Sequence, residues 1–415
     1  MERKIKKIGI GFITGRKTFR QVLATYLSCW GDKLMSAQHP VELSLFVAYD
    51  LDYNDTQRKD YTDINIELKE MLSSIHFIDR ATAEAQALSL CEKGVIDKKE
   101  ASLFFEKGYA GKRNAILYTA AKAGMDAILF LDDDEYPLAV QKTSGVESWS
   151  GQQILSTHLE HIDSATITCG HHCGYISTIP GFTFNDIMSE KDFRIFIEAI
   201  SNDIINWNHL KSLMMQGGIS YADPEIISGP AVESMQTGNT KFITGSNLCI
   251  NLRDLKVLSP FYNPPSARGE DTFLSTCLQR NTVLRVPCYT FHDGFSVYTS
   301  MLSGVLPQKL RHISGSSKKA MKRFYSACIG WVRYKPLLMY ITRRESYEKD
   351  IAEVRSGLEQ TLPILSRYFD NPKFMKISEE LEKYDRDVKK HYQDFQTTKD
   401  AWHKIADYLA EESVI

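Results

Sequence analysis

Four acids stand in a row in Phe130-Leu131-Asp132-Asp133-Asp134-Glu135-Tyr136-Pro137, directly behind an apolar run. Carboxylates at that spacing repel one another, which is costly unless hydrogen bonds or a cation compensate. A divalent ion is the simplest remedy. Oxygen ligands of this kind suit Mg²⁺ or Mn²⁺, which one or two carboxylates hold while substrate phosphates complete the shell. The plainer account is an acidic, solvated turn. It is disfavoured by position, because ligands of open α/β sheets gather at the carboxyl ends of strands. Lys112, Arg113 and Asn114 open a helical pattern, where cations and free amide groups favour a phosphate or a sugar hydroxyl; plain surface charge explains them equally well. Glu270 and Asp271, after Gly269, precede a second helical segment. As an isolated pair they would be helix caps, but a carboxylate within reach of a hydroxyl can also serve as its general base. His292 closes a later apolar run and is either a hydrogen-bonded structural residue or a metal ligand.

In this order the segments resemble those of the GT-A glycosyltransferases. Phe130-Leu131-Asp132-Asp133-Asp134 is similar to their DXD motif. Gly111-Lys112-Arg113-Asn114 resembles the Gly-x-Arg-Asn donor-loop element of the inverting family-2-type enzymes, and Gly245-Ser246-Asn247-Leu248-Cys249-Ile250 resembles their acceptor-side strand. Gly269-Glu270-Asp271 matches the xED motif, and Phe291-His292-Asp293 the C-terminal histidine. The likeness covers roughly residues 5 to 300 and leaves out the stretch 217–238 and the C-terminal tail.

The resemblance implies a metal-dependent glycosyltransferase (hexosyltransferase class) that moves a sugar from a UDP- or GDP-sugar to an acceptor hydroxyl, with inversion. Asp132, Asp134 and His292 would hold Mn²⁺ or Mg²⁺. Thr14, Gly15, Asp50, Lys112, Arg113, Asn114, Asp132 and Asp133 would contact the donor, and Gly245, Ser246 and Asn247 the acceptor. Asp271 would be the base, with Glu270 orienting the acceptor or a neighbouring group. Two alternatives stand beside it. A strand followed by Asp-x-Asp also presents the nucleophile of metal-dependent phosphohydrolases of the haloacid-dehalogenase group, although Tyr136 occupies the place where those enzymes carry Thr or Val. A non-catalytic nucleotide-sugar-binding protein would keep the acids without turnover.

The elements that must position these groups are short apolar runs ending in polar residues: Ile8 to Ile13, Leu43 to Ala48 and Ala127 to Leu131. Such runs are typical of parallel strands buried on both faces. Helical segments, Phe19 to Met35 and Lys112 to Ala123, lie between them, so the expected fold class is α/β; the resemblance implies that this is a GT-A, Rossmann-like sheet domain, followed by a C-terminal helical appendage. Further expected strands are Ala165 to Cys169, Lys241 to Asn251 and Thr282 to Phe291. Helices are expected over Glu190 to Leu213, over Thr272 to Gln279 and from Ser314 onward. The expected division is a catalytic domain over 1–300, with a loop inserted around 217–238, and a basic segment and helical appendage over 301–415.

Composition bounds the rest. A chain of 415 residues with 43% hydrophobic and 25% charged content can bury a large core, which excludes whole-chain disorder. A net charge of −2 supplies no global field for a polyanion, so no nucleic-acid partner is expected. No apolar stretch approaches the ~20 residues of a membrane span, no secretion signal is evident, and eight scattered cysteines fit a reducing compartment. The expected location is cytoplasmic, at most peripheral at the inner membrane face.

One local exception is a basic stretch. Between Gly294 and Arg344 there are ten Lys or Arg and no Asp or Glu. It would close over a diphosphate through Tyr298, Lys309 and Arg311, face an anionic acceptor or membrane, or simply be a solvated helix face. Cys169-Gly170-His171-His172-Cys173 has zinc-ligand residue types, but alternate strand residues point to opposite faces, so the expected role is that of His171 or His172 as acceptor-site polar residues. Trp149, Trp207 and Tyr221 are candidate stacking surfaces for a sugar, against the commoner role of aromatics as core.

Overall fold

The computed structural model describes residues 5–34, 41–52, 54–201 and 207–412. It is a mixed α/β architecture with a helical C-terminal region. The expected buried runs become β1 (Lys6–Thr14), β2 (Val41–Tyr49) and β4 (Ala127–Asp132), with β3 (Ser74–Ile78) preceding β4 in the chain. Then come β5 (Glu135–Tyr136), β6 (Leu138–Thr143), β7 (Val146–Gly151), β8 (Ile167–Gly174), β9 (Val232–Glu233), β10 (Gln236–Thr237), β11 (Thr240–Lys241), β12 (Leu248–Asn251) and β13 (Val283–His292). The main sheet runs β3-β2-β1-β4-β12-β8-β13-β5, with β9 alongside β13; β6-β7 and β10-β11 are separate hairpins. β1 to β4 are mutually parallel, whereas β12 runs antiparallel between β4 and β8.

The alternation Ile8-Gly9-Ile10-Gly11-Phe12-Ile13 sets which helix covers which face. Ile8, Ile10 and Phe12 pack with Phe19, Tyr26 and Trp30 of the helix Phe19–Leu34. On the opposite face a β-carbon at Gly11 would lie 3.2 Å from Ile116 Cγ2, so the missing side chain lets the helix Tyr109–Lys122 approach closely.

Several expected elements change shape. The helix read over Glu190 to Leu213 is two helices, Glu190–Ile200 and Trp207–Met215. The strand read over Lys241 to Asn251 shortens to β12, because Asn247 takes a left-handed conformation (φ 50°) that ends an extended run. The segment 217–238 carries a short helix, Pro224–Ser228, and two strand fragments. The acidic pair opens a short helix, Glu270–Ser275.

The tail folds into Lys318–Thr342, Tyr347–Tyr368, Lys376–Arg386 and Val388–Glu412. The first three build one core with the Glu190–Ile200 and Trp207–Met215 helices. The last covers the sheet domain: Trp402 is fully buried, stacks on Phe104 at 6.0 Å and donates to Leu255 O. Among the described residues no helix is long and apolar enough to cross a membrane.

Candidate active site

The parallel half of the sheet brings three carboxyl ends together. Ile13 is in register with Asp132, and Thr14 with Tyr49, so Thr14, Asp50 and Asp132 come together at one end of the sheet. The chain then reverses into β5, which pairs antiparallel with the end of β13, His292 opposite Glu135. Backbone register therefore carries the histidine to the acids. His292 Nε2 lies 3.4 Å from Asp134 Oδ2, and the Asp293 amide donates to Asp134 O at 2.9 Å.

Each acid has its own partner. Thr14 Oγ1 donates to Asp133 at 2.6 Å, and the Arg16 guanidinium reaches Asp133 at 2.9 Å and Asp134 at 2.7 Å. Glu135 accepts from Ser246, from Thr290 and from His172. Asp132 faces Arg113 at 3.9 Å, with about a third of its side chain exposed. These environments separate the carboxyls. Burial, and then Glu135, push Asp132 up to about 8, Arg113 opposing. Burial pushes Asp133 up to about 6 against the pull of Arg16. At Asp134 burial acts upward, but His292 and Arg16 outweigh it and hold the carboxyl well below its usual range. His292 is moved the other way: burial lowers it, Asp134 more than compensates, and it reaches about 9. Asp134 and His292 thus form an ion pair at neutral pH.

Arg113 joins this cluster to the second acidic pair. Its guanidinium is buried between the Phe130 and Phe261 rings, at 5.2 and 5.3 Å, and sits 3.4 Å from Glu270. Asp271 accepts the Thr272 amide at 2.8 Å. Burial and then Glu270 raise its carboxyl to about 6. A β-carbon at Gly245 would come within 3.3 Å of Arg113 and 3.5 Å of Asp271, so Gly245 lies directly against both. Lys112 pairs with Asp50 at 2.8 Å. Burial raises Asp50, but its bond to Lys112 outweighs that and lowers it. Gly15 accepts from Asn54 at its carbonyl.

Some expected site residues are spent on the scaffold. Asn114 is fully buried: its amide nitrogen donates to Phe104 O and Phe261 O, and its oxygen accepts the Phe261 amide, so it clamps the helix and is not presented to a donor. Asn247 is likewise buried, bonded to His158 and to His171 O. A β-carbon at Gly170 would fall 2.1 Å from its amide, which explains the glycine. His171 bonds Arg285 at 2.8 Å, and burial and Arg285 lower it to about 3. Only His172 of that pair reaches the acids, through Ser246 and Glu135. Trp149 packs edge-on to Phe291, and Trp207 lies in the core beneath the tail. Tyr221 lines a separate cavity of about 430 Å³ with Lys142 and Gln216. Tyr298 is buried, its hydroxyl accepting the Arg311 amide.

Two neighbours of the acids escape sequence reasoning. Arg16 follows β1 by two residues in a turn where arginine is unremarkable. Tyr109, half-exposed at the start of its helix, feels the charges of Asp132, Asp133 and Arg16; one exposed tyrosine in a helix carries no signal of its own.

No protein-family model matches the chain, and no curated protein is significantly similar to it. Among the described residues no group of three or more His, Cys, Asp and Glu is arranged to hold a metal ion. Asp134 and His292, facing each other across the strand junction, are the two groups that could hold an ion whose remaining positions are filled by phosphate and water, the imidazole giving up its proton to do so. Arg16 occupies the flank of that pair and would have to yield part of its contact with Asp134.

Proposed function

We propose that the chain is a metal-dependent glycosyltransferase of the GT-A type that transfers a sugar from a UDP- or GDP-sugar to a hydroxyl with inversion. The observation that carries this reading is the meeting of Asp134 and His292, which are 158 residues apart in sequence and 3.4 Å apart in space, at the carboxyl ends of parallel strands. An Mg²⁺ or Mn²⁺ ion held there would act as a Lewis acid on a departing diphosphate. The chain's own residues supply the rest. Lys112 and Arg16 supply positive charge suited to phosphate oxygens, with buried Arg113 behind them, and Asp132, partly open, is placed to accept from a ribose or sugar hydroxyl. Asp271, across Arg113 from Asp132, would take the proton of the attacking hydroxyl. A carboxyl raised to about 6 is mostly ionised at neutral pH yet more basic than an ordinary aspartate.

The test is a thermal-shift panel of nucleotide sugars with and without Mn²⁺. A shift is expected for a UDP- or GDP-sugar only with metal, and its loss in Asp134→Ala. If no nucleotide sugar moves the melting temperature with metal present, the reading fails.

A further inference from the structure

The basic stretch behind His292 divides in two once it is folded. Its C-terminal half is turned inward. Arg333 forms a two-point pair with Glu380, Arg343 pairs with Asp350, Arg344 lies over the rings of Tyr340 and Tyr392, and buried Lys335 donates to Ser201 O. The N-terminal half stays on the surface. Lys309, Arg311, Lys318 and Lys322 are exposed, and among the described residues no carboxylate pairs with any of them. They are held near one another by an aromatic stack. Tyr175 packs against Phe295 and Tyr298, its hydroxyl donates to Arg311 O, Lys319 donates to Phe295 O, and Arg323 covers the Phe295 ring.

The loop that leads into Lys309 and Arg311 carries an aliphatic tip. Val305 is 59% and Leu306 39% exposed on the loop after Gly304, although the base of that loop is fixed. Trp149 Nε1 donates to Pro307 O, and the Leu310 amide donates to Glu147. A fixed loop that shows two aliphatic side chains to water and leads into a segment with four unpaired cations combines the two interactions that hold a protein to an anionic bilayer, apolar insertion and attraction to headgroups. A nucleic acid would use the cations and leave the aliphatic pair unexplained.

We propose that residues 305–322 form a docking surface for an anionic lipid bilayer, which would hold the crevice at the membrane surface. The inference stands on this surface alone, whatever reaction the crevice performs.

The experiment is co-sedimentation of the full chain with phosphatidylcholine vesicles with and without phosphatidylglycerol, at low and high salt, beside heparin binding. Sedimentation is expected only with the anionic vesicles and only at low salt. The double variant Lys318→Glu/Lys322→Glu should bind at least about tenfold more weakly, and Val305→Asp/Leu306→Asp should also weaken vesicle binding, both with unchanged melting temperatures. Absence of sedimentation, or vesicle binding untouched by either variant, overturns the proposal. Heparin binding as strong as vesicle binding and indifferent to the Val305/Leu306 change would assign the surface to a polyanion instead, and would overturn it as well.

Discussion

The carboxyls of this crevice are distinguished by their neighbours, and that makes their roles separable. Asp271 lies at the end of the Arg113 link, with Glu270 beside it and the Thr272 amide donating to it. As general base it must be ionised, so the rate of sugar transfer should climb as pH rises through about 6 and then level off. Asp271→Asn should lower kcat by about 10²–10⁴-fold while leaving metal-dependent nucleotide-sugar binding intact; a variant that turns over at the wild-type rate would remove the base assignment. Arg16 makes a different prediction. It is the cation in contact with both Asp133 and Asp134. Arg16→Ala should destabilise the protein by roughly 2 kcal/mol in metal-free buffer, less than a fully buried pair would cost because the guanidinium keeps part of its surface in water. Added Mn²⁺ should recover much of that loss, which differential scanning calorimetry with and without metal would reveal.

At the level of elements, the helix Tyr109–Lys122 brings Lys112 and Arg113 to the acids, and Gly111 permits its entry. A β-carbon there would sit 2.1 Å from the Glu106 carbonyl oxygen. Gly111→Ala should therefore cost about 1–3 kcal/mol or more as the helix start is pushed away, and should weaken donor binding by moving Lys112 and Arg113; chemical denaturation and a nucleotide-sugar titration measure the two effects. The sequence carried much of this framework. β1, β2 and β4 were legible because both their faces are buried, which leaves continuous apolar runs. β3 was not: Ser74, Ile75, His76 and Phe77 are only partly buried at the sheet edge, so no clean pattern survives. The gathering of Asp132, Asp134 and His292 was anticipated from motif order, whereas the conversion of Asn114 and Asn247 into internal clamps was not. Whether an amide points at a ligand or at a backbone carbonyl depends on the loop packed against it, here Phe261 and His171, and neither is near in sequence.

For the molecule as a whole, the crevice couples folding to pH. Asp132 titrates at about 8 when folded against an ordinary value near 4, so between those limits the folded chain holds a proton the unfolded chain has released, and stability falls as pH rises. His292 acts in the same sense: its stabilising charge is complete below about 6.5 and is lost as pH rises through about 9. The metal-free protein should therefore lose melting temperature between pH 6.5 and 9, and Asp132→Asn should flatten that slope; a profile that rises over the interval would contradict the arrangement. The clasp of Trp402 on Phe104 has a consequence for biosynthesis. The residues it covers leave the ribosome some three hundred positions earlier, so the early part of the sheet waits with an oily flank bare until Trp402 has been made. Consolidation of that flank must then wait for the tryptophan, and nascent chains halted short of it are natural clients for chaperones.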